Sequence, residues 1–72
     1  MKNDTTINIG VIGVGHLGNF HLKQLKEIPQ VSISGIYDID SNRAQEMGQK
    51  YNVQSFSSLN KLLTISDAVS II

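Results

Sequence analysis

The feature that most constrains this chain is a glycine-rich motif between an apolar run and a helical pattern. The motif reads Gly-Val-Gly-His-Leu-Gly over residues 13–18, follows the run Ile7–Ile12, and opens a helical pattern that reaches Ile28. In the spacing G-x-G-x-x-G, the first glycine permits a sharp turn, the second leaves room for a pyrophosphate, and the third lets the helix pack closely. Because a helix start also offers free N–H groups to an anion, the motif predicts a dinucleotide-binding loop.

The surroundings of the motif strengthen this prediction, since the spacing alone occurs in many unrelated proteins. A second apolar run, Val31 to Tyr37, follows the helix and completes a strand–helix–strand unit. That run is followed by Asp38, twenty residues after Gly18, which is where the adenosine ribose of a dinucleotide would be held. The alternative, a glycine-rich turn in some other α/β protein, agrees less well with all of these features together.

The rest of the chain alternates strand and helix patterns. The pattern βαβαβαβ predicts a parallel sheet with right-handed crossovers, and we expect a partial doubly wound α/β fold with strand order 3-2-1-4. The predicted strands cover residues 7–12, 31–37, 53–56 and 68–72, and the predicted helices cover 16–28, 43–51 and a short segment capped by Ser57 or Ser58. The first helix is expected to bury one broad apolar face, made of Leu17, Phe20, Leu22, Leu25 and Ile28. Gly10 is expected to keep its strand thin, so that this helix packs closely.

Composition limits the functions that the chain can have. It has 72 residues, with six basic and six acidic side chains and no cysteine. The balanced charge gives no reason to expect nucleic acid or a membrane surface as a partner. The lack of cysteine excludes disulfides and thiolate metal sites and fits a cytoplasmic protein.

The end of the pattern indicates a fragment. Residues 1–6 are predicted to be a flexible tail, and residues 7–72 the N-terminal part of a dinucleotide-binding domain that is truncated after its fourth strand. The fourth strand would leave an apolar edge bare, which invites another chain. We therefore expect weak stability in so short a chain and self-association through the fourth-strand edge.

Eight residues are predicted to contact the cofactor: Gly13, Val14, Gly15, His16, Leu17, Gly18, Asp38 and Arg43. Asp38 is expected to accept hydrogen bonds from the ribose hydroxyls, with a turn or capping role as the alternative. Repulsion between its carboxylate and a 2′-phosphate at about 4 Å would weaken the binding free energy by up to ~4 kcal/mol at an effective dielectric near 20. This repulsion favours NAD over NADP. Arg43 would reverse this preference if its side chain reached the 2′-phosphate. The preferred interpretation is that Arg43 is a solvated residue in the first turn of the second predicted helix.

The two histidines are not predicted to be catalytic. His16 would line the pyrophosphate site, where a positive helix end disfavours an imidazolium. His21 is expected to be packed and hydrogen-bonded. Because residues five apart do not share a helix face well, the pair predicts no metal site.

The stretch Ile9–His21 resembles the N-terminus of the glucose–fructose oxidoreductase, inositol dehydrogenase and rhizopine-catabolism family (Gfo/Idh/MocA). That family opens similarly, with a strand, G-x-G-x-x-G and a histidine three residues after the last glycine. Residues 37–44, 51–53, 57–63 and 67–72 look like later parts of its Rossmann domain.

The resemblance implies an NAD(P)-dependent oxidoreductase that acts on a small-molecule substrate, a sugar, polyol or related alcohol. In that family the catalytic lysine of a Glu-Lys-Pro motif and an assisting histidine lie beyond the fourth strand. This chain contains no Glu-Lys-Pro, so the resemblance carries over cofactor-binding positions only. The alternatives are a non-catalytic nucleotide-binding or sensing module and, more weakly, a methyltransferase that binds S-adenosylmethionine.

Overall fold

The computed structural model describes residues 6–72, apart from the side chains of His16 and Leu17. The predicted tail, residues 1–6, therefore lies outside the described residues except for Thr6. The strands and helices are β1 (Ile7–Ile12), α1 (His16–Lys26), β2 (Val31–Tyr37), α2 (Ser41–Tyr51), α3 (Leu59–Thr64) and β3 (Ala68–Ile71).

The strands form one parallel sheet in the order β2-β1-β3. Ile9 pairs with Ile33 but Gly10 pairs with Gly35, so that Ser34 is an extra residue in β2. The predicted α/β fold is thus confirmed, and its three full strands have the expected relative order.

The predicted strand at residues 53–56 is reduced to a single bridge between Ile36 and Ser55. It lies beside β2, where the order 3-2-1-4 places it, and its hydrogen bonds run from Ile36 N–H to the Gln54 carbonyl and from Phe56 N–H to the Ile36 carbonyl. A full strand cannot form because both ends of the segment are engaged by helix ends. The Val53 N–H donates to the Gly48 carbonyl of α2, and Ser58 caps α3.

The helix ends also differ from the prediction by about two residues. α1 stops at Lys26 rather than Ile28, since the N–H groups of Glu27 and Ile28 donate three residues back and tighten the last turn before Pro29. α2 begins at Ser41 rather than Arg43, because the Asp40 carboxylate caps it.

Each face of the sheet packs against different helices. On one face a buried cluster joins β1 and β2 to α1, made of Val11, Val14, Leu22, Leu25 and Ile36. On the other face Gly10 and Gly35 lie against α3, where a Cβ on either would come within 3.0 Å of the fully buried Leu62 side chain. The expectation for Gly10 is therefore corrected: it makes room for α3 and not for α1.

Two residues predicted on the buried face of the first helix are exposed, Phe20 by 62% and Ile28 by 42%. Phe20 precedes the fully buried Leu22 by two residues, or about 200° around a helix, and so faces solvent. Ile28 lies beyond the last residue of α1. At the sheet edge, Val69 and Ile71 of β3 are also exposed. Among residues 6–72, no helix is long and apolar enough to cross a membrane.

Candidate functional site

The glycine motif forms the turn that joins β1 to α1. Gly13 has φ +87°, a conformation that residues with a Cβ rarely adopt. Its N–H donates to the Tyr37 carbonyl over 2.8 Å, which extends the pairing of β1 with β2 by one bond. The first glycine thus makes the sharp turn that its position in the motif predicts.

The other two glycines have opposite surroundings. A Cβ on Gly18 would lie only 2.8 Å from the Gly13 carbonyl oxygen, so this glycine allows α1 to pack against the turn. Apart from its chain neighbours, a Cβ on Gly15 would meet no atom of the described side chains and backbone within 4 Å. The space beside the helix start is therefore open at the second glycine, as approach of a pyrophosphate requires.

The start of α1 has no side-chain cap and no acidic residue of its own. Gly15 is the N-cap and provides no side-chain cap, and the first turn contains no acidic residue. The Asn19 N–H makes the first helical bond, to the Gly15 carbonyl over 3.1 Å. Because the N–H groups of the first turn precede the regular helical bonds, they are available to an anion.

Asp38 lies directly after β2 and reaches the glycine turn. Its Oδ2 accepts the Val14 N–H over 2.8 Å, and its Oδ1 accepts the Asp40 N–H over the same distance. The Asp40 bond is the turn contact that the sequence-based alternative for Asp38 predicted. Each carboxylate oxygen has a second lone pair, so the group keeps the capacity to accept ribose hydroxyls.

Arg43 and the motif residues His16 and Leu17 complete the predicted set. Arg43 is exposed in the first turn of α2, where its backbone N–H donates to the Asp40 carboxylate over 3.3 Å. His16 and Leu17 begin α1, and their side chains are outside the described part of the chain.

Two contacts position α1, and the sequence did not predict either pairing. His21 Nε2 lies 2.6 Å from Ser70 Oγ of β3, so His21 is hydrogen-bonded as expected. The Tyr51 hydroxyl of α2 donates to the Asn19 side-chain oxygen in the first turn of α1. Their partners are 49 and 32 residues away along the chain, so no local spacing could have indicated them.

One concavity of the described residues lies away from this turn. It has a volume of about 450 Å³ and borders the second half of α2 and the segment after it, lined by Gln45, Gly48, Gln49, Asn52, Val53, Gln54 and Ser55. The glycine turn is the stronger candidate, because it brings together an uncapped helix start and the carboxylate of Asp38. Within residues 6–72, no three His, Cys, Asp or Glu side chains are grouped as a metal site would require.

The strand, glycine turn, helix and strand followed by an acidic residue define the dinucleotide-binding class of α/β folds. Residues 7–72 match the family described as an oxidoreductase family with an NAD-binding Rossmann fold. The chain belongs to this family, the Gfo/Idh/MocA oxidoreductases.

Known relatives agree with this assignment. UDP-N-acetylglucosamine 3-dehydrogenase from Acidithiobacillus ferrooxidans is 43% identical over 88% of this chain and 20% of its own length. Its crystal structure superposes with a TM-score of 0.85 over 93% of this chain and 22% of that chain, at 39% identity. Myo-inositol 2-dehydrogenase from Thermotoga maritima is 38% identical over 67% of this chain and 14% of its own length.

The structure of GenD2 from gentamicin A biosynthesis in complex with NAD has the same fold. It superposes with a TM-score of 0.85 over 93% of this chain and 20% of that chain, at 19% identity. The present chain thus spans about one-fifth of the length of most of these relatives.

Proposed function

We propose that residues 7–72 are the N-terminal part of the cofactor-binding domain of an NAD-dependent oxidoreductase. The reaction is hydride transfer between the nicotinamide and a carbon that bears a hydroxyl group in a sugar, polyol or related alcohol. The observation that carries the proposal is the position of Asp38, whose carboxylate lies at the glycine turn beside the free start of α1. Family membership and the dehydrogenase names of the relatives support the same reaction class.

Each part of the turn receives one part of the cofactor. The backbone from Gly15 to Leu17 faces the pyrophosphate, and the open space at Gly15 admits it. Asp38 accepts hydrogen bonds from the adenosine ribose hydroxyls. Gly13 and Gly18 shape the turn, and Val14 anchors it through its fully buried side chain.

The proposal includes a preference for NAD over NADP. Asp38 is fixed at the turn by two backbone bonds, so its charge cannot easily move away from a 2′-phosphate. The Arg43 side chain is exposed to solvent, so it is the group that would favour NADP by folding over the ribose. Repulsion between the fixed Asp38 carboxylate and a 2′-phosphate is expected to outweigh attraction of that phosphate to the solvated Arg43 side chain. Exposed ion pairs contribute only about 0–1 kcal/mol.

Binding of NAD and NADP to the full-length protein tests the proposal. We expect NAD to bind more tightly, and Asp38→Ala to weaken NAD binding about 10- to 100-fold while reducing the discrimination against NADP. Asp40→Asn is the matched control, because it removes a neighbouring charge but keeps a residue that caps α2 well. No binding of either nucleotide would reject the site, and tighter binding of NADP would transfer the specificity role to Arg43. NAD binding without turnover of any alcohol would favour a sensing module.

Two proposals about the wider protein remain separate from the site. The exposed apolar edge at Val69 and Ile71 supports self-association through β3. Sedimentation at increasing concentration tests it, and Ile71→Lys should abolish any association. A cytoplasmic location rests on the cysteine-free composition, and localisation of the tagged full-length protein tests it.

A further inference from the structure

We infer that Asp38 is also a positioning residue that holds the glycine turn in its binding conformation, an inference that rests on the proposed dinucleotide site. Both carboxylate oxygens are hydrogen-bonded to backbone N–H groups, one of which belongs to the motif itself, at Val14. A residue that served only the ribose would need no bond to the loop that receives the pyrophosphate. The two halves of the site are therefore coupled through one side chain.

The Val14 N–H is a critical point of the turn. It lies between Gly13, which has φ +87°, and Gly15, the N-cap of α1. The turn has two other anchors: the Gly13 N–H bond to the Tyr37 carbonyl, and the fully buried Val14 side chain. The bond to Asp38 is the third, and it is charge-assisted, so it is about twice as strong as a bond between neutral groups. It fixes the peptide between Gly13 and Val14 and hence the direction of the N–H groups that follow.

If Asp38 holds the turn, its removal should change the affinity for a phosphate ligand in the opposite direction from a role limited to the ribose. A carboxylate near an anion site repels the anion, so removing Asp38 should tighten the binding of a ligand that has phosphates but no ribose. If Asp38 holds the turn, its removal lowers the fraction of molecules in the binding conformation and weakens the binding of that same ligand.

Inorganic pyrophosphate is the probe, measured by calorimetry and by competition with NAD on the full-length protein. We expect Asp38→Ala to weaken pyrophosphate binding about tenfold. This factor corresponds to the loss of the charge-assisted hydrogen bond between Asp38 and the Val14 N–H, which holds the turn. Asp38→Asn keeps an oxygen that accepts the Val14 N–H and should recover most of the affinity. Asp40→Asn, which removes a charge without touching the turn, should leave it unchanged or slightly tighter.

A second measurement needs no ligand. Hydrogen–deuterium exchange at the Val14 amide should be at least tenfold faster in Asp38→Ala than in the wild type and intermediate in Asp38→Asn, because the bond that protects this amide is lost. Unchanged exchange in Asp38→Ala overturns the inference, as does equal or tighter pyrophosphate binding combined with weaker NAD binding. Failure of the wild type to bind NAD would instead reject the proposed function, whatever the exchange at Val14.

Discussion

Replacing Gly15 with alanine should separate cofactor binding from folding, because the new methyl group would point into open space. Within the described part of the chain, only the sequence neighbours of Gly15 come within 4 Å of a Cβ at this position, so we expect the substitution to create no clash. As an N-cap, alanine is worse than glycine by about 0.5–1 kcal/mol. Alanine also restricts the unfolded chain, which returns about 0.4–1 kcal/mol. These contributions nearly cancel, and we expect the free energy of unfolding to change by less than ~1 kcal/mol.

Binding of NAD should respond very differently to the same change. The methyl group would occupy the space through which the pyrophosphate approaches the backbone, and the phosphates would retreat from the N–H groups at the start of α1. Losing one hydrogen bond to a charged group costs about 1.5–3 kcal/mol, or about 10- to 150-fold in affinity. Calorimetric titration with NAD measures the affinity, and urea denaturation of the same preparation measures the stability.

Gly18→Ala is the matched control, because it adds the same methyl group three residues along α1. There the Cβ would lie 2.8 Å from the Gly13 carbonyl oxygen, which is backbone and cannot rotate away. Overpacking should lower the free energy of unfolding by about 1–3 kcal/mol. The better helix propensity of alanine offsets about 1 kcal/mol of this loss. Wild-type affinity for NAD in Gly15→Ala, or a loss of more than ~2 kcal/mol of its stability, would refute the reasoning.

Substitutions at three other positions test the packing and the helix caps through urea denaturation of the full-length protein. Leu62→Ala should cost about 2–5 kcal/mol, because the fully buried side chain fills the space over two strand glycines; a loss under ~1 kcal/mol would contradict this packing. Asp40→Ala should cost about 1 kcal/mol by removing the cap of α2, and Asp40→Asn should not. Asn52 has φ 56°, so Asn52→Gly should be neutral or stabilising and Asn52→Ala destabilising, and the reverse order would show that the conformation differs.

The elements that local chemistry determines could be predicted from the sequence. The glycine turn, the helix after it and the acidic residue after β2 each depend on a few neighbouring residues, and they occur where the pattern places them. Even the carboxylate of Asp38 lies beside the loop, since parallel strands bring their carboxyl ends to one edge of the sheet.

The remaining features depend on contacts between distant residues. Phe20 could not be assigned correctly from apolar character, because the packing of α1 on β1 and β2 decides which of its apolar residues are buried. The segment 53–56 had strand composition, but competition from two helix ends limits it to one bridge. The bond from Tyr51 to Asn19 links two helices and has no counterpart in any local pattern.

The extra residue in β2 affects how this domain tolerates changes in chain length. Ser34 separates a first half of the strand, paired up to Ile33, from a second half that begins at Gly35 and leads to Asp38. Loss of Ser34 would join two pairings that are already adjacent on β1, and the carboxylate would stay level with the glycine turn. Loss of one of residues 35–37 would shorten the strand by the same length, but it would bring Ser34 to the pairing position of Gly35. A Cβ at that position would lie too close to the side chains of Phe56 and Leu62. A one-residue deletion in β2 is therefore tolerated at Ser34 and disfavoured at the three residues that precede Asp38.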